Sequence, residues 1–415
     1  MFLIICFPFQ IQSLKLLLII LLVSHEVLVY FDNKKYFSFS VNWYVLYFLY
    51  VLVWFSMGVL ENYKIFTFYF ISMIGSVLIY FIVFNIEEVM KKEILKKLEI
   101  IFIYSFFINF IFYLLMYIHY NYYSLPSLLV NCIVLVGKII EIWRPGQYAK
   151  ATASNGFLVT ASFIIPYLTA KYFFEVNSKF YILKLFLWDI IFGIFFILTL
   201  RKVQIIIFIM TNIFLFIIVN IWKKKNINNK IIKYFKYFKY GTLLFCIVLL
   251  LNFKYKVFDF SNLINYVSRS FNYSAENVVY PGVFERKIQF KALMQGFFSN
   301  VQTFLIGKGI GSNVDVVRSD IPGVYELTYI AMLFQRGIIG TIIFFTFIFV
   351  FLYRYIIILN SKYISCDSKI YAVKYGLGFL GIFLASATNP AFGSVEYIWM
   401  LFINIFVISV LERNE

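Results

Sequence analysis

Histidine is almost absent from this chain: there are two in 415 residues, His25 and His119. They are too few and too far apart for a zinc site, which needs three or four clustered ligands. The four cysteines, Cys6, Cys132, Cys246 and Cys366, contain no CxxC spacing, and three lie in apolar segments. They indicate neither a disulfide framework nor a metal site, and no metal or cofactor is expected. Charge is scarce at 14% of residues, with 20 Asp and Glu against 37 Lys and Arg. Arginine is scarcer still. Only eight of the basic residues are Arg, and none precedes Arg144.

What fills the chain instead is apolar and aromatic: 62% hydrophobic and 22% Phe, Trp and Tyr, with a mean hydropathy of +0.86. A soluble domain of this size could not hide so much apolar surface, so an all-α polytopic membrane protein is expected. A crossing needs ~20 mostly apolar residues. Segments 40–60, 64–85, 98–118, 180–199, 203–222, 337–353, 369–388 and 394–411 qualify clearly. Segments 2–24, 157–173 and 240–256 qualify with less margin, and 2–24 reads as a retained span because it lacks a basic start and a small-residue cleavage site. Segment 124–143 carries Lys138 and Glu141, so the count is eleven or twelve. Twelve is favoured.

The net charge of +17 would suggest nucleic acid in a soluble protein. Here it follows the bias of cytoplasmic loops toward Lys, above all in KKKNINNKIIKYFKYFKYG at 223–241. No nucleic-acid module is visible. With 223–241 inside, the alternation of spans places two loops on the outer face, 144–156 and 257–325. The chain divides accordingly: N-terminal spans 1–143, a first outer loop 144–156, central spans 157–256, a large outer loop 257–325, and C-terminal spans 326–415. The segment IEEVMKKEILKKLE at 86–99 has as many Glu as Lys and could lie along the interface as an amphipathic helix. In the twelve-span arrangement it is outside. If 124–143 is re-entrant, it is cytoplasmic.

Arginine's position is the sharpest clue to chemistry. Arg144, Arg269, Arg286 and Arg318 are in the two outer loops, and Arg336 is where the second loop meets the membrane. Lys would serve for solvation, whereas Arg holds phosphate or carboxylate through a planar fork. In the first loop, Pro145 and Gly146 make a turn beside Arg144, and Asn155 and Gly156 close it. The second contains FERKIQFKALMQGFF, whose Ile288, Ala292, Leu293 and Phe297 recur at helical spacing behind Arg286. GKGIGSN follows at 307–313. It is not a P-loop, because the GxxxxGK[ST] spacing is absent. Its glycines would let backbone approach a ligand or another helix. Glu326 lies ten residues before Arg336. The run 337–353 nearly fills the hydrocarbon thickness, so Arg336 falls at headgroup level. A continuous helix back to Glu326 would add roughly 15 Å and raise the carboxylate above the membrane. Asp189 and Lys184, inside one span, read as structural, paired with each other or with a neighbouring helix.

These blocks resemble the O-antigen polymerase (Wzy) and O-antigen ligase superfamily of bacterial envelope glycosyltransferases, over roughly residues 140–410. In that family a first outer loop carries an Arg, a Gly and an Asn before a span, matched by Arg144, Gly146 and Asn155. A larger loop carries an Arg-led helix and a glycine-rich turn, matched by Arg286 and by GKGIGSN with Gly309 and Gly311. Ligases then show a His, a small polar residue, nine residues and G-x-x-G. Here Gly337 and Gly340 hold that spacing, but Glu326 and Leu327 replace the His and its neighbour, which argues against a ligase. The resemblance implies a GT-C-like helical fold and undecaprenyl-diphosphate-linked oligosaccharide as both donor and acceptor. It also implies metal-independent chemistry on the outer face of the inner membrane, in contact with membrane lipids and with a chain-length regulator as a possible partner. Arg144, Arg286 and Arg336 would bind diphosphate, and Glu326 would be the general base or would orient the acceptor. A ligase passing glycan to lipid A core, or a flippase, are the competing readings. A flippase should show related halves and polar groups at the midplane.

Overall fold

The computed structural model describes residue 6 and residues 40–61, 88–121, 123–137, 139–142, 150–153, 157–174, 180–199, 201–224, 281–314, 323, 325–389, 392 and 395–412. The expected spans 2–24, 64–85 and 240–256 lie outside them, apart from residue 6, as does all of 257–280. The helices are α1 (Ser40–Glu61), α2 (Glu88–Asn121), α3 (Ser127–Gly137), α4 (Phe157–Phe174), α5 (Tyr181–Thr199), α6 (Lys202–Lys224), α7 (Pro281–Phe297), α8 (Val301–Leu305), α9 (Thr328–Asn360), α10 (Cys366–Ala385) and α11 (Val395–Glu412). A short antiparallel hairpin, β1 (Ile139–Ile142) with β2 (Lys150–Ala153), pairs Ile139 with Ala153 and Ile142 with Lys150. Among the described residues four helices are long and apolar enough to cross a membrane: Glu93–His119, Phe157–Phe174, Val203–Ile221 and Thr328–Asn360. The protein is a predominantly helical, polytopic membrane protein.

The core forms around α4, which is buried on nearly every face and packs along α10. Pro166 lacks an N–H, so the Ser162 carbonyl loses its helical donor. The α10 backbone closes on that carbonyl: a Cβ on Gly381 would come within 2.1 Å of it. Aromatic side chains fill the remaining space, with Phe102, Phe163, Tyr167, Tyr375 and Trp399 in edge and stacked contacts. Such rings bury large areas with few rotatable bonds.

Cross-helix bonds fix which ends lie together. Gln204, at the start of α6, donates to the carbonyl of Leu158 and to Ser162 Oγ at the start of α4. The start of α4 faces the end of α10 through Gly381. That end of α10 meets the start of α9, where Thr328 Oγ1 donates to the Asn389 carbonyl (2.6 Å) and Tyr329 to that of Phe383. The starts of α4, α6 and α9 therefore share one end of the bundle, the end to which the hairpin connects. At the other end Glu99 of α2 holds Lys171 of α4 (3.1 Å) and Lys374 of α10 (2.5 Å), and accepts from the Tyr167 hydroxyl (2.9 Å). Arg354 and Glu412 pair there too, joining α9 to α11.

This parity settles segment 124–143. Helix α2 runs from the lysine end to the hairpin end, and α4 starts from the hairpin end. The stretch between them begins and ends on one side, so 124–143 does not cross. It forms the eleven-residue α3, about 16 Å long and too short for a ~30 Å hydrocarbon layer, and then β1. The twelve-span arrangement is corrected. Segment 88–99 is not a separate interfacial helix but the first three turns of α2, at the lysine end. The signal against a crossing was already present in Lys138 and Glu141.

Two outcomes follow. Single cysteines at Lys96 and Lys362 should react with an impermeant thiol reagent from the same side of the membrane. Cysteines at Tyr123 and Asn300 should react from the opposite side. Opposite labelling of Lys96 and Lys362 positions would overturn the parity.

Candidate functional site

The loop that follows α7 builds the site. Helix α7 lays Gln289, Leu293 and Phe297 against Tyr325, Ala331 and Phe334 of the facing segment. Leu293 and Phe297 of the expected apolar face are buried, and the face differs at its start. Ile288 is exposed, and the polar Gln289 is buried because its Oε1 accepts the Leu327 N–H at 3.1 Å. That bond pins the bend 325–327. Tyr325 pins it from the other side, its hydroxyl accepting from Val314 N–H (2.8 Å) and lying within donating distance of the Ser312 carbonyl. Held between them, Glu326 Oε2 accepts from Arg286 Nε at 2.7 Å.

Glu326 and Arg286, forty residues apart in sequence, are thereby brought into direct contact. The Arg286 side chain is 36% exposed and that of Glu326 22%, so both are reachable from solvent. An ion pair this open contributes at most about 1 kcal/mol to stability. Its chemical capacity is larger: a carboxylate that can take a proton stands beside a guanidinium that can meet developing negative charge.

Arg336 is placed differently. Helix α9 starts at Thr328, and it is broken at Gly337, whose φ of 62° and ψ of −173° are not helical. The continuous helix from Glu326 to Arg336 is therefore corrected. Segment 328–336 is a separate short helix, rising roughly 12 Å, and 338–360 is a second one. The break is stitched by the glycine turn. The Lys308 N–H donates to the Phe334 carbonyl (3.1 Å) and the Gly309 N–H to that of Gln335 (2.7 Å). The Trp54 indole of α1 donates to the Ile306 and Arg336 carbonyls, while its own carbonyl accepts from Ile310. A Cβ on Gly337 would overlap the Leu305 carbonyl at 2.4 Å, and one on Gly307 (φ 83°) the Gln335 carbonyl at 2.5 Å. The GKGIGSN glycines thus serve close approach to another helix. Gly309 lies against Gly58, and Gly311 against Gly323.

At the break Arg336 is only 2% exposed. Its Nη1 donates to the Tyr50 hydroxyl at 2.8 Å, and its guanidinium lies over the Tyr50 and Phe344 rings at 5.3 and 5.6 Å. Among the described residues no carboxylate pairs with it. Arg144, Gly146, Asn155, Arg269 and Arg318 lie outside the described residues, the first two within the connection between β1 and β2. No ion pair joins Asp189 to Lys184 among the described residues. Reasoning from sequence missed Tyr50 and Trp54, which an apolar span of α1 hides, and the Glu99–Lys171–Lys374 cluster. The signal for that cluster was an ionisable residue in each of three apolar segments.

The bend and the pair should separate in their effect on stability. Arg286→Ala should lower the thermal stability of the purified protein by no more than about 1 kcal/mol. Gln289→Ala, which leaves the Leu327 N–H without its acceptor, should cost about 1–3 kcal/mol. Gly337→Ala should cost at least about 2 kcal/mol through backbone strain and overlap. Gly193→Ala, in α5 with open space around it, should be neutral or slightly stabilising. A Gly337→Ala protein melting with the wild type would refute the stitched break.

Compared with known proteins, the chain matches no family model, no curated protein and no solved structure.

Proposed function

We propose that this protein is a metal-independent glycosyltransferase of the bacterial inner membrane, a polymerase. In this reading it joins undecaprenyl-diphosphate-linked oligosaccharide repeat units into O-antigen or capsular polysaccharide. The observation that carries the reading is the Arg286–Glu326 contact on a doubly pinned bend at one end of a membrane bundle. The lysine end, with Lys171, Lys362, Lys369, Lys374 and the start of 223–241, is assigned to the cytoplasm by the positive-inside rule. The hairpin end, and with it Arg286, Glu326 and the Arg144 connection, then faces the periplasm. With the spans that the sequence leads one to expect at 2–24, 64–85 and 240–256 added, the proposed arrangement is GT-C-like with eleven crossings and 257–325 as the expected large outer loop.

The proposed reaction breaks the bond between a sugar and the carrier diphosphate, and forms a bond to a hydroxyl of the acceptor sugar. Electrons leave with the diphosphate, and a fixed guanidinium stabilises them as a metal otherwise would. Arg286 and Arg144 are assigned that role. The acceptor hydroxyl loses its proton to Glu326, which is oriented by Arg286 and fixed in place by the Leu327 and Tyr325 bonds. The polar residues gathered in the one large outer loop support an enzyme over a flippase, and Glu326 in the ligase histidine's position supports a polymerase over a ligase.

The test is polymer formation by purified protein from synthetic lipid-linked repeat units, with a chelator present. Glu326→Gln should reduce chain growth per molecule by about a hundredfold or more, since Gln keeps the shape but takes no proton. Arg286→Lys keeps the charge, loses the fork, and should fall by about tenfold to a hundredfold. The double exchange Arg286→Glu with Glu326→Arg should restore stability but not turnover. A Gln variant turning over at the wild-type rate, or turnover that stops on chelation, would overturn the mechanism. In cells, deletion of the gene should leave lipid A core capped by a single repeat unit or abolish long capsule. An unchanged long-chain ladder would overturn the function itself.

A further inference from the structure

Arg336 poses an electrostatic problem that the described residues do not solve. It is 2% exposed, its Nε has no hydrogen-bond partner, and no carboxylate among the described residues faces it. Burying an uncompensated guanidinium is costly, and the break at Gly337 makes this location worse. The backbone at Gly337 is not helical, so helix 338–360 has its own N-terminus at the break. The positive end of its dipole therefore lies beside the Arg336 stem. That stem runs along the first turn, since a Cβ on Gly340 would come within 2.8 Å of Arg336 Cβ. A cation at the positive pole of a helix, away from water, is the arrangement that draws an anion in membrane proteins with interrupted helices.

The other side of the nest comes from α1. The Tyr50 hydroxyl accepts from Arg336 Nη1 and donates to the Gly340 carbonyl (2.9 Å), so it joins the guanidinium to the restarted helix. Tyr47, one turn away, stacks obliquely on Tyr50 with ring centroids 6.0 Å apart. It is 2% exposed, and its hydroxyl has no hydrogen-bond partner. A Phe would fill that position without stranding a polar group. Tyr50 thus lies between two unpartnered buried donors, bonded to Arg336, whose Nε is free, and in ring contact with Tyr47, whose hydroxyl is free.

We propose that Tyr47 and Tyr50, with Arg336 and the first turn of helix 338–360, form a binding site for a phosphate-class oxyanion. In the proposed reaction the oxyanion is the diphosphate of the lipid carrier, and this identification rests on the polymerase reading. Three groups contact the ligand: the guanidinium supplies the charge, Tyr47 donates a neutral hydrogen bond, and the N–H groups of the restarted helix complete the cradle. Tyr50 holds Arg336 in register. The N-terminal third, outside the family resemblance, would then contribute to substrate binding.

The test is calorimetric binding to the full chain in phosphatidylcholine nanodiscs, with farnesyl diphosphate and inorganic pyrophosphate as probes. The wild type should bind farnesyl diphosphate, Tyr47→Phe should weaken that binding about tenfold, and Arg336→Met should abolish it. Inorganic pyrophosphate binding with the same Tyr47 dependence would mean that the oxyanion alone is recognised, whatever carries it. Binding of the prenyl form only would assign the site to the lipid carrier. Because the Tyr47 hydroxyl has no partner to lose, Tyr47→Phe should fold as well as the wild type, and it keeps the test decisive if Arg336→Met does not fold. Failure of the wild type to bind either probe, or equal binding by Tyr47→Phe, would overturn the site. Tyr47-dependent binding in a protein that makes no polymer would sink the polymerase reading and leave the site standing. Polymer formation with Tyr47-independent binding would do the reverse.

Discussion

The interlock between the glycine turn and the broken helix is the constraint from which the rest of the site follows. A helix interrupted inside a membrane protein leaves carbonyls and N–H groups that hydrocarbon cannot satisfy. Here the carbonyls of Phe334, Gln335 and Arg336 are taken by the N–H groups of Lys308 and Gly309 and by the Trp54 indole. The contact is possible only because Gly307 and Gly337 adopt positive φ and have no Cβ. With the break in place, segment 328–336 is free to take its own direction and to pack on α7. That packing brings the bend 325–327 beneath Gln289 and sets Glu326 against Arg286.

The same break separates two kinds of arginine. Arg286 is solvated and paired, so its charge costs little to hold and is available to a ligand at the surface. Arg336 is enclosed by aromatic rings, which offer their electron-rich faces but no full negative charge. At the opposite end of the bundle, Lys171 and Lys374 converge on the Glu99 carboxylate, tying α2, α4 and α10 together. Among the described residues, buried charge is thus neutralised by a carboxylate at the lysine end, whereas at the break rings and a hydroxyl surround the Arg336 guanidinium without neutralising it.

Local features of the sequence were read well where short-range physics decides. The helix behind Arg286, the tight glycine turn and the apolar helices among the described residues were legible from periodicity, from glycine and from apolar length. The face of α7 was misjudged at Gln289, because a polar residue was turned inward by a hydrogen bond to Leu327, which no periodicity reveals. The burial of Arg336 was not legible for a related reason. Gly337 looks like an ordinary helical glycine until the partner backbone at Leu305 and Ile306 is present to force and satisfy the break.

Composition and hydropathy by themselves determined that this is a polytopic helical membrane protein, because surface so apolar has no other solvent. They also located the residues capable of chemistry, because eight arginines among 37 basic residues stand out wherever they fall. Tertiary structure alone decided that 124–143 does not cross, since only the packing of α2 and α4 fixes which ends share a side. It also decided that Glu326 meets Arg286 and not Arg336. A pairing across forty residues is set by where two segments are pinned, and Glu326 is held in the bend before Thr328, outside the helix that carries Arg336.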